Sequence, residues 1–181
     1  MQVAWVSKCH ECIPRPGGRP VPSDCALGDI GGMNDDERWM REALVLAEEA
    51  AAAGDVPVGA VVVRDNAVIA RAANRTVRDQ DPTGHAELLA IRQASRAIGD
   101  WRLTGCTLVV TLEPCAMCAG AIVLARLDRV VFGAFDDKAG MAGSIGDILR
   151  HPRLNHRTQV QANVLSTETG ALLSEFFRSR R

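Results

Sequence analysis

The chain has 181 residues, with 21 lysines and arginines against 22 aspartates and glutamates, a net charge of −1, and 47% apolar and 24% charged residues. That balance fits one folded domain and excludes a disordered tail, a collagen-like repeat and a coiled coil. The longest uncharged apolar stretch, 114–125, falls short of the roughly 18 residues a membrane span needs, and near-neutral charge means that a polyanionic partner must be met locally.

Residues 1–32 contain Pro14, Pro16, Pro20 and Pro22 together with Gly17, Gly18, Gly31 and Gly32, and read as an irregular extension or an addition to the domain. Met33, directly before the first helix signal, reads as an alternative start and leaves 33–181 as the domain. The extension is charge-neutral, so the domain's balance stays at −1. No secretory signal is evident in 1–13, and a reducing cytoplasm is the expected compartment for the six cysteines. Cys9, Cys12 and Cys25 with His10 offer a few metal donors, but the surrounding prolines give them no scaffold.

Asn34 or Asp35 can cap a first helix, whose start is acidic through Asp35, Asp36 and Glu37 and whose apolar Met40, Ala43, Leu44 and Ala47 recur at helical spacing; Gly54 stops it. Residues 58–63 read as a buried strand, Asp65-Asn66 as a turn and 67–72 as the returning strand, followed by a polar loop over 73–84. A second helix runs over 85–98 with Leu88, Leu89 and Ile91 inward, and Gly99 ends it. A strand at 106–112 leads through Glu113-Pro114 into a helix over 115–125, with Pro114 at its start. A strand at 129–134, a Gly-rich connection with one helical turn near 145–149, a strand at 159–165 and a closing helix at 167–180 complete the pattern. Strands alternating with helices predict a layered α/β domain with some parallel pairing.

Two short pieces carry chemistry. Cys115 and Cys118 are three residues apart at a helix start, so both sulfurs can face one point, and the dipole there favours thiolates. His85 opens the other helix and supplies a third donor. One imidazole and two thiolates suit Zn²⁺, and three protein ligands leave the fourth tetrahedral position open, as in catalytic sites. Glu87, two residues after the histidine, is placed to move protons. Taken singly, Cys115 and Cys118 also fit small buried residues or a redox pair. Together, His85-x-Glu87 and Pro114-Cys115-x-x-Cys118 match the pattern of zinc-dependent nucleobase deaminases.

The runs Val56-Pro57-Val58-Gly59-Ala60-Val61, Asp81-Pro82-Thr83-Gly84-His85-Ala86-Glu87, Thr111-Leu112-Glu113-Pro114-Cys115-Ala116-Met117-Cys118-Ala119-Gly120-Ala121 and Arg129-Val130-Val131-Phe132-Gly133-Ala134, with Gly143-Ser144, His151-Pro152 and Asn155-His156, resemble the bacterial tRNA-specific adenosine deaminases from about residue 35 to the end. The resemblance implies a three-layer αβα cytidine deaminase-like fold with a central mixed sheet of about five strands. It implies hydrolysis of adenosine to inosine at the wobble position of an arginine tRNA anticodon stem-loop, by a homodimer with one Zn²⁺ per subunit. On the same footing His85, Cys115 and Cys118 hold zinc, Glu87 shuttles protons, Asn74 contacts the flipped nucleotide, Val56 and Ala134 wall the pocket, and Asp136 meets the sugar. Ala73, Thr76 and Phe135 depart from the family's usual Trp, Pro and basic residue.

Arg150, His151, Arg153, His156 and Arg157 form the expected phosphate-binding segment, with Arg178, Arg180 and Arg181 as a second basic cluster. A solvated loop and a helix C-terminus complemented by arginines are the bland readings of the same residues. Two rivals share the metal signature: a cytosine, cytidine or guanine deaminase acting on a free base or nucleoside, and a zinc-stabilised RNA-binding module that would not need Glu87.

Overall fold

The computed structural model describes residues 34–180; the expectations for residues 1–32, including Cys9, Cys12 and Cys25, and for Arg181 lie outside the described residues. Asn34 caps helix α1 (Asp35–Ala52), its side chain accepting from the Asp36 N–H at 3.2 Å. Strands β1 (Gly59–Arg64) and β2 (Ala67–Ala73) form the expected hairpin. Its turn residues Asp65 and Asn66 take φ of 49° and 60°, the left-handed pair that a two-residue hairpin turn requires. Helix α2 (Ala86–Ile98) ends on Gly99 at φ 78°. Strand β3 (Cys106–Leu112), helix α3 (Ala116–Leu124), strand β4 (Arg129–Ala134), strand β5 (Gln159–Gln161) and helix α4 (Ser166–Arg178) follow.

The sheet order is β2-β1-β3-β4-β5. The β2–β1 and β1–β3 pairs are antiparallel, and β3–β4 and β4–β5 are parallel. Strand alternation divides the core. Val61, Val63, Val109 and Val131 pack with Trp39, Met40 and Ala43 of α1, while Ala60, Val62, Leu108, Val110, Val130 and Phe132 meet Ala90, Ile91, Ala94, Ala119, Ile122 and Val123 of α2 and α3 on the other face. With α4 beside α1, the result is the three-layer αβα arrangement with a mixed five-stranded sheet. Helix α1 approaches β1 so closely that a Cβ at Gly59 would lie 2.0 Å from the Ala43 carbonyl oxygen. Arg129 on β4 ties α1 down through a two-pronged ion pair with buried Asp36, both contacts at 2.6 Å.

Four local readings change. The last strand stops at Gln161 instead of reaching 165, because Asn163 and Leu165 take φ of 67° and 52° and turn the chain into α4. No helical turn forms near 145–149. Ala142 and Asp147 bridge there, and the Asp147 carboxylate accepts from both the backbone N–H and the side chain of Arg150. Helix α2 turns Ala86, Glu87, Ala90, Ile91 and Ala94 inward, with Leu88 and Leu89 half-buried, since alanines let it lie close to the sheet. Pro114 precedes the α3 cap, so Cys115 and not the proline opens the helix.

Candidate active site

Parallel pairing of β3 with β4 runs Leu112 alongside Ala134, and β3 delivers the chain straight into α3. Its N-cap is Cys115, in extended conformation at φ −72° and ψ 175°, and its side chain makes no capping bond. The N-cap of α2 is His85, also extended and also without a capping bond. Ser, Thr, Asp or Asn usually spends its side chain on the helix at such a position. Here both side chains are left to face each other across the start of two packed helices.

His85 Nδ1 lies 3.7 Å from Cys115 Sγ and 3.5 Å from Cys118 Sγ, and the three donor atoms fall within 4.8 Å of one another, a group that could hold a metal ion. Cys118 is buried, while His85 and Cys115 are half-buried. A hydrogen bond from Cys118, then one from His85, draws the Cys115 thiol down to about 3, and the same sharing with burial pushes Cys118 up. The hydrogen bond to Cys115 in turn raises the pKa of His85, against its burial. Cys115 is thus predisposed to the thiolate form that a metal ligand needs.

Glu87 is 4% exposed, and burial raises its carboxyl pKa. Its carboxyl lies within the electrostatic reach of His85 and Cys115, beside the sulfur cluster. Asn74 is 5% exposed. Its backbone N–H donates to the Val58 carbonyl at 2.8 Å, and its side-chain oxygen accepts from the Thr76 hydroxyl at 3.3 Å. Thr76 therefore supplies a hydrogen bond that a proline there would not. Val56 and Ala134 are half-buried, at the entry to β1 and the end of β4. Asp136 follows β4, and its Oδ1 accepts from the N–H groups of Lys138 and Ala139.

Residues 34–181 match the MafB19-like deaminase family. The chain is 50% identical over 149 residues to the tRNA-specific adenosine deaminase of Bacillus subtilis, an alignment covering 82% of this chain and 92% of that protein. The chain belongs to the tRNA-specific adenosine deaminase family. A solved structure from a study of A-to-I editing by tRNA deaminases at the wobble position superposes on this deaminase with a TM-score of 0.73 and 43% identity, covering 75% of this chain and 99% of that one. The guanine deaminase of Bacillus subtilis superposes with a TM-score of 0.56 and 36% identity, over 82% of this chain and 94% of that one.

The basic segment of the deaminase is less available than its sequence suggests. Arg150 binds Asp147 Oδ2 at 2.6 Å and the Ala142 carbonyl at 3.0 Å; Arg157 donates to the Pro152 carbonyl at 3.2 Å; and His156 Nε2 lies 2.7 Å from the Leu127 carbonyl. Arg153 lines an apolar cavity of about 450 Å³ with Val123, Leu124, Ile148 and Leu154. In the second basic cluster, Arg180 lies 3.8 Å over the Phe176 ring and donates to the Gly54 carbonyl, which ties α4 to the end of α1.

Two buried acids escaped the sequence reading. Asp55, with no exposed surface, accepts from the N–H groups of Val77 at 2.6 Å and Arg78 at 3.3 Å. Glu113, 2% exposed, accepts from the N–H groups of Asp136, Ala142 and Ser144 and from the Ser144 hydroxyl. Burial opposes its charge, but these donors outweigh it and hold its pKa below the usual carboxylate range. The available signal was an acid between an apolar strand and a Pro-Cys pair, followed by a Gly-rich segment with many backbone donors to satisfy.

Proposed function

We propose that this deaminase converts adenosine to inosine at the wobble position of a tRNA anticodon, on arginine tRNA, using Zn²⁺ held by His85, Cys115 and Cys118. The observation that carries the reading is the three-donor cluster on two helix starts with buried Glu87 beside it. With metal–nitrogen and metal–sulfur bonds of about 2.0 and 2.3 Å, tetrahedral zinc requires N···S separations of about 3.5 Å. The distances of 3.5 and 3.7 Å fit. Zinc supplies Lewis-acid activation of water in such a site.

The chain's own residues do the rest. The Glu87 carboxylate takes one proton from the attacking water and delivers it to the adenine ring nitrogen, then takes the remaining hydroxyl proton and delivers it to the departing amine, so adenosine and water give inosine and ammonia. Burial raises its pKa, which eases its holding a proton between the two transfers. Asn74 binds the flipped nucleotide, Val56 and Ala134 wall the base pocket, and Asp136 meets the ribose. An anticodon loop presents its bases already unpaired, which lowers the cost of extrusion by a few kcal/mol. Arg150, Arg153, His156 and Arg157 lie along the phosphates, Arg150 exchanging Asp147 for phosphate.

The enzyme acts in the cytoplasm as a homodimer, with residues 1–32 outside the catalytic domain. Leu124 is 73% exposed beside the apolar cavity that Leu154 and Ile148 line, which supports a second copy covering this face. Leu124→Asp should convert a dimer to a monomer in light scattering; a protein monomeric before substitution removes that assignment.

The main test incubates the zinc-loaded protein with an arginine anticodon stem-loop, free adenosine, cytidine and guanine. Inosine in the stem-loop alone supports the reading, whereas ammonia from guanine alone favours the second reading, which the likeness to a guanine deaminase supports. Glu87→Ala should abolish turnover while zinc and RNA binding persist; wild-type protein that binds RNA without producing inosine points to a binding module.

A further inference from the structure

Glu113 is a buried acid two residues before Cys115, and the proton chemistry above does not use it. The hydrogen bonds around it join two separate pieces of chain. The Glu113 N–H donates to the Ala134 carbonyl at 2.9 Å, and the Met141 N–H donates to the Pro114 carbonyl at 2.9 Å. Cys115 is bridged to Gly140. The Glu113 carboxylate completes this closure: Oε1 accepts from Ala142 N at 2.9 Å and Ser144 N at 3.0 Å, and Oε2 accepts from Asp136 N at 3.1 Å and from the Ser144 hydroxyl. Gly140 packs against it so tightly that a Cβ there would fall 2.3 Å from Oε2.

Every group that meets the carboxylate is a donor, and all of them belong to the segment 136–144. An amide of the same shape would turn an NH₂ toward two of those donors and leave them unsatisfied. The segment starts at Asp136, next to the pocket wall at Ala134, so the carboxylate fixes where both stand.

We propose that Glu113 is a positioning residue for substrate recognition: by gathering the donors of Asp136, Ala142 and Ser144, it holds Asp136 and Ala134 against the nucleotide pocket. It sets substrate affinity and ribose preference and leaves the metal donors in place. This rests on the reading of Asp136 as the sugar contact given above.

The test compares wild type, Glu113→Gln, Ser144→Ala and Asp136→Ala as full-length, zinc-loaded proteins. The substrates are stem-loops carrying adenosine or 2′-deoxyadenosine at the target position. Glu113→Gln should keep wild-type zinc content and raise KM about tenfold, the equivalent of one charge-assisted hydrogen bond, with kcat within about threefold. Its ribose preference should fall to that of Asp136→Ala, and the double variant should be no worse than Asp136→Ala alone. Ser144→Ala, which keeps the three backbone donors, should show a smaller rise in KM, and it decides the matter by the same criteria if Glu113→Gln fails to fold. Loss of zinc, a fall in kcat with KM unchanged, or fully additive effects of the two substitutions would overturn the proposal. Asp136→Ala with an intact ribose preference would instead overturn the reading of Asp136, and the KM values would then decide for Glu113.

Discussion

Two irregular segments close on the cluster of His85, Cys115 and Cys118, and each is pinned by a buried carboxylate from elsewhere in the chain, but in different ways. Segment 74–85 leaves β2 and delivers His85. It is held from outside near its start, where the Asn74 N–H donates to the Val58 carbonyl at 2.8 Å and Asp55 accepts from Val77 and Arg78, and otherwise closes on itself through the Arg75 N–H to Gly84 carbonyl bond of 2.9 Å. Its tip stays in solvent, with Val77 63% exposed. Segment 135–144 leaves β4 and backs onto Pro114 and Cys115, and Glu113 grips it at Asp136, Ala142 and Ser144. The cysteine side of the site is fixed along its length and the histidine side only over its first few residues, so compliance for a bulky substrate belongs on the histidine side.

The comparison breaks most completely if what both segments share is removed. Cys118→Ser leaves both carboxylate grips intact but takes a thiolate from the donor set. Metal content should drop below half and deamination should fall roughly a thousandfold or more. A variant that keeps zinc and a tenth of the rate would show that the cluster is not the centre of the chemistry.

Next in size is the difference in tolerance between the segments. Gly140→Ala forces a methyl group against the Glu113 carboxylate and should cost about 1–3 kcal/mol of stability, whereas Val77→Ala at the exposed tip should stay within about 0.5 kcal/mol. Chemical denaturation of the two variants measures the contrast directly, and equal costs would erase the distinction. Asp55→Asn should fall between them, at about 1–2 kcal/mol, because the amide supplies one acceptor where the carboxylate supplied two. Amide exchange should quicken over 75–84 and stay unchanged over 135–144. Quickening of both segments would mean that they behave as one.

The same contrast explains what was legible in the sequence. Regular elements announced themselves through period and punctuation: Asn34 before an acidic turn, Asp65-Asn66 between valine-rich runs and Gly99 after a helical stretch all formed what they promised. The cluster was legible too, because helix starts turn short spacings into shared faces and its three donors sit in two short runs. Glu113 and Asp55 were not, since their partners are backbone N–H groups 22 to 31 residues away, and backbone donors leave no mark in a sequence. Arg150, Arg157 and His156 looked free for phosphate for the same reason: the carbonyls that engage them carry no residue signature. The strand pattern extends to 165 in sequence because Ala162, Val164 and Leu165 continue its apolar texture, while the left-handed backbone of Asn163 and Leu165, which no hydropathy pattern marks, ends it at Gln161.

The smallest effect lies at the base of the histidine-side segment. Asp81 Oδ1 accepts from the Thr83 hydroxyl at 2.7 Å and the Thr83 N–H at 2.8 Å, which together hold its carboxyl below the usual range. A carboxyl depressed in the folded state adds stability above its unfolded pKa of about 3.9 and loses it as the pH falls through the folded value. Asp81→Asn should therefore melt slightly below wild type near neutrality, and the gap should begin to narrow as the pH drops below about 4 and close once it has fallen through the lower pKa of the folded carboxyl. Melting curves of both proteins across that range decide the point. A gap that persists unchanged into acid would mean that Asp81 acts through the shape of its turn and not through its charge, and the histidine-side segment would then owe its closure to Asp55 and backbone bonds alone.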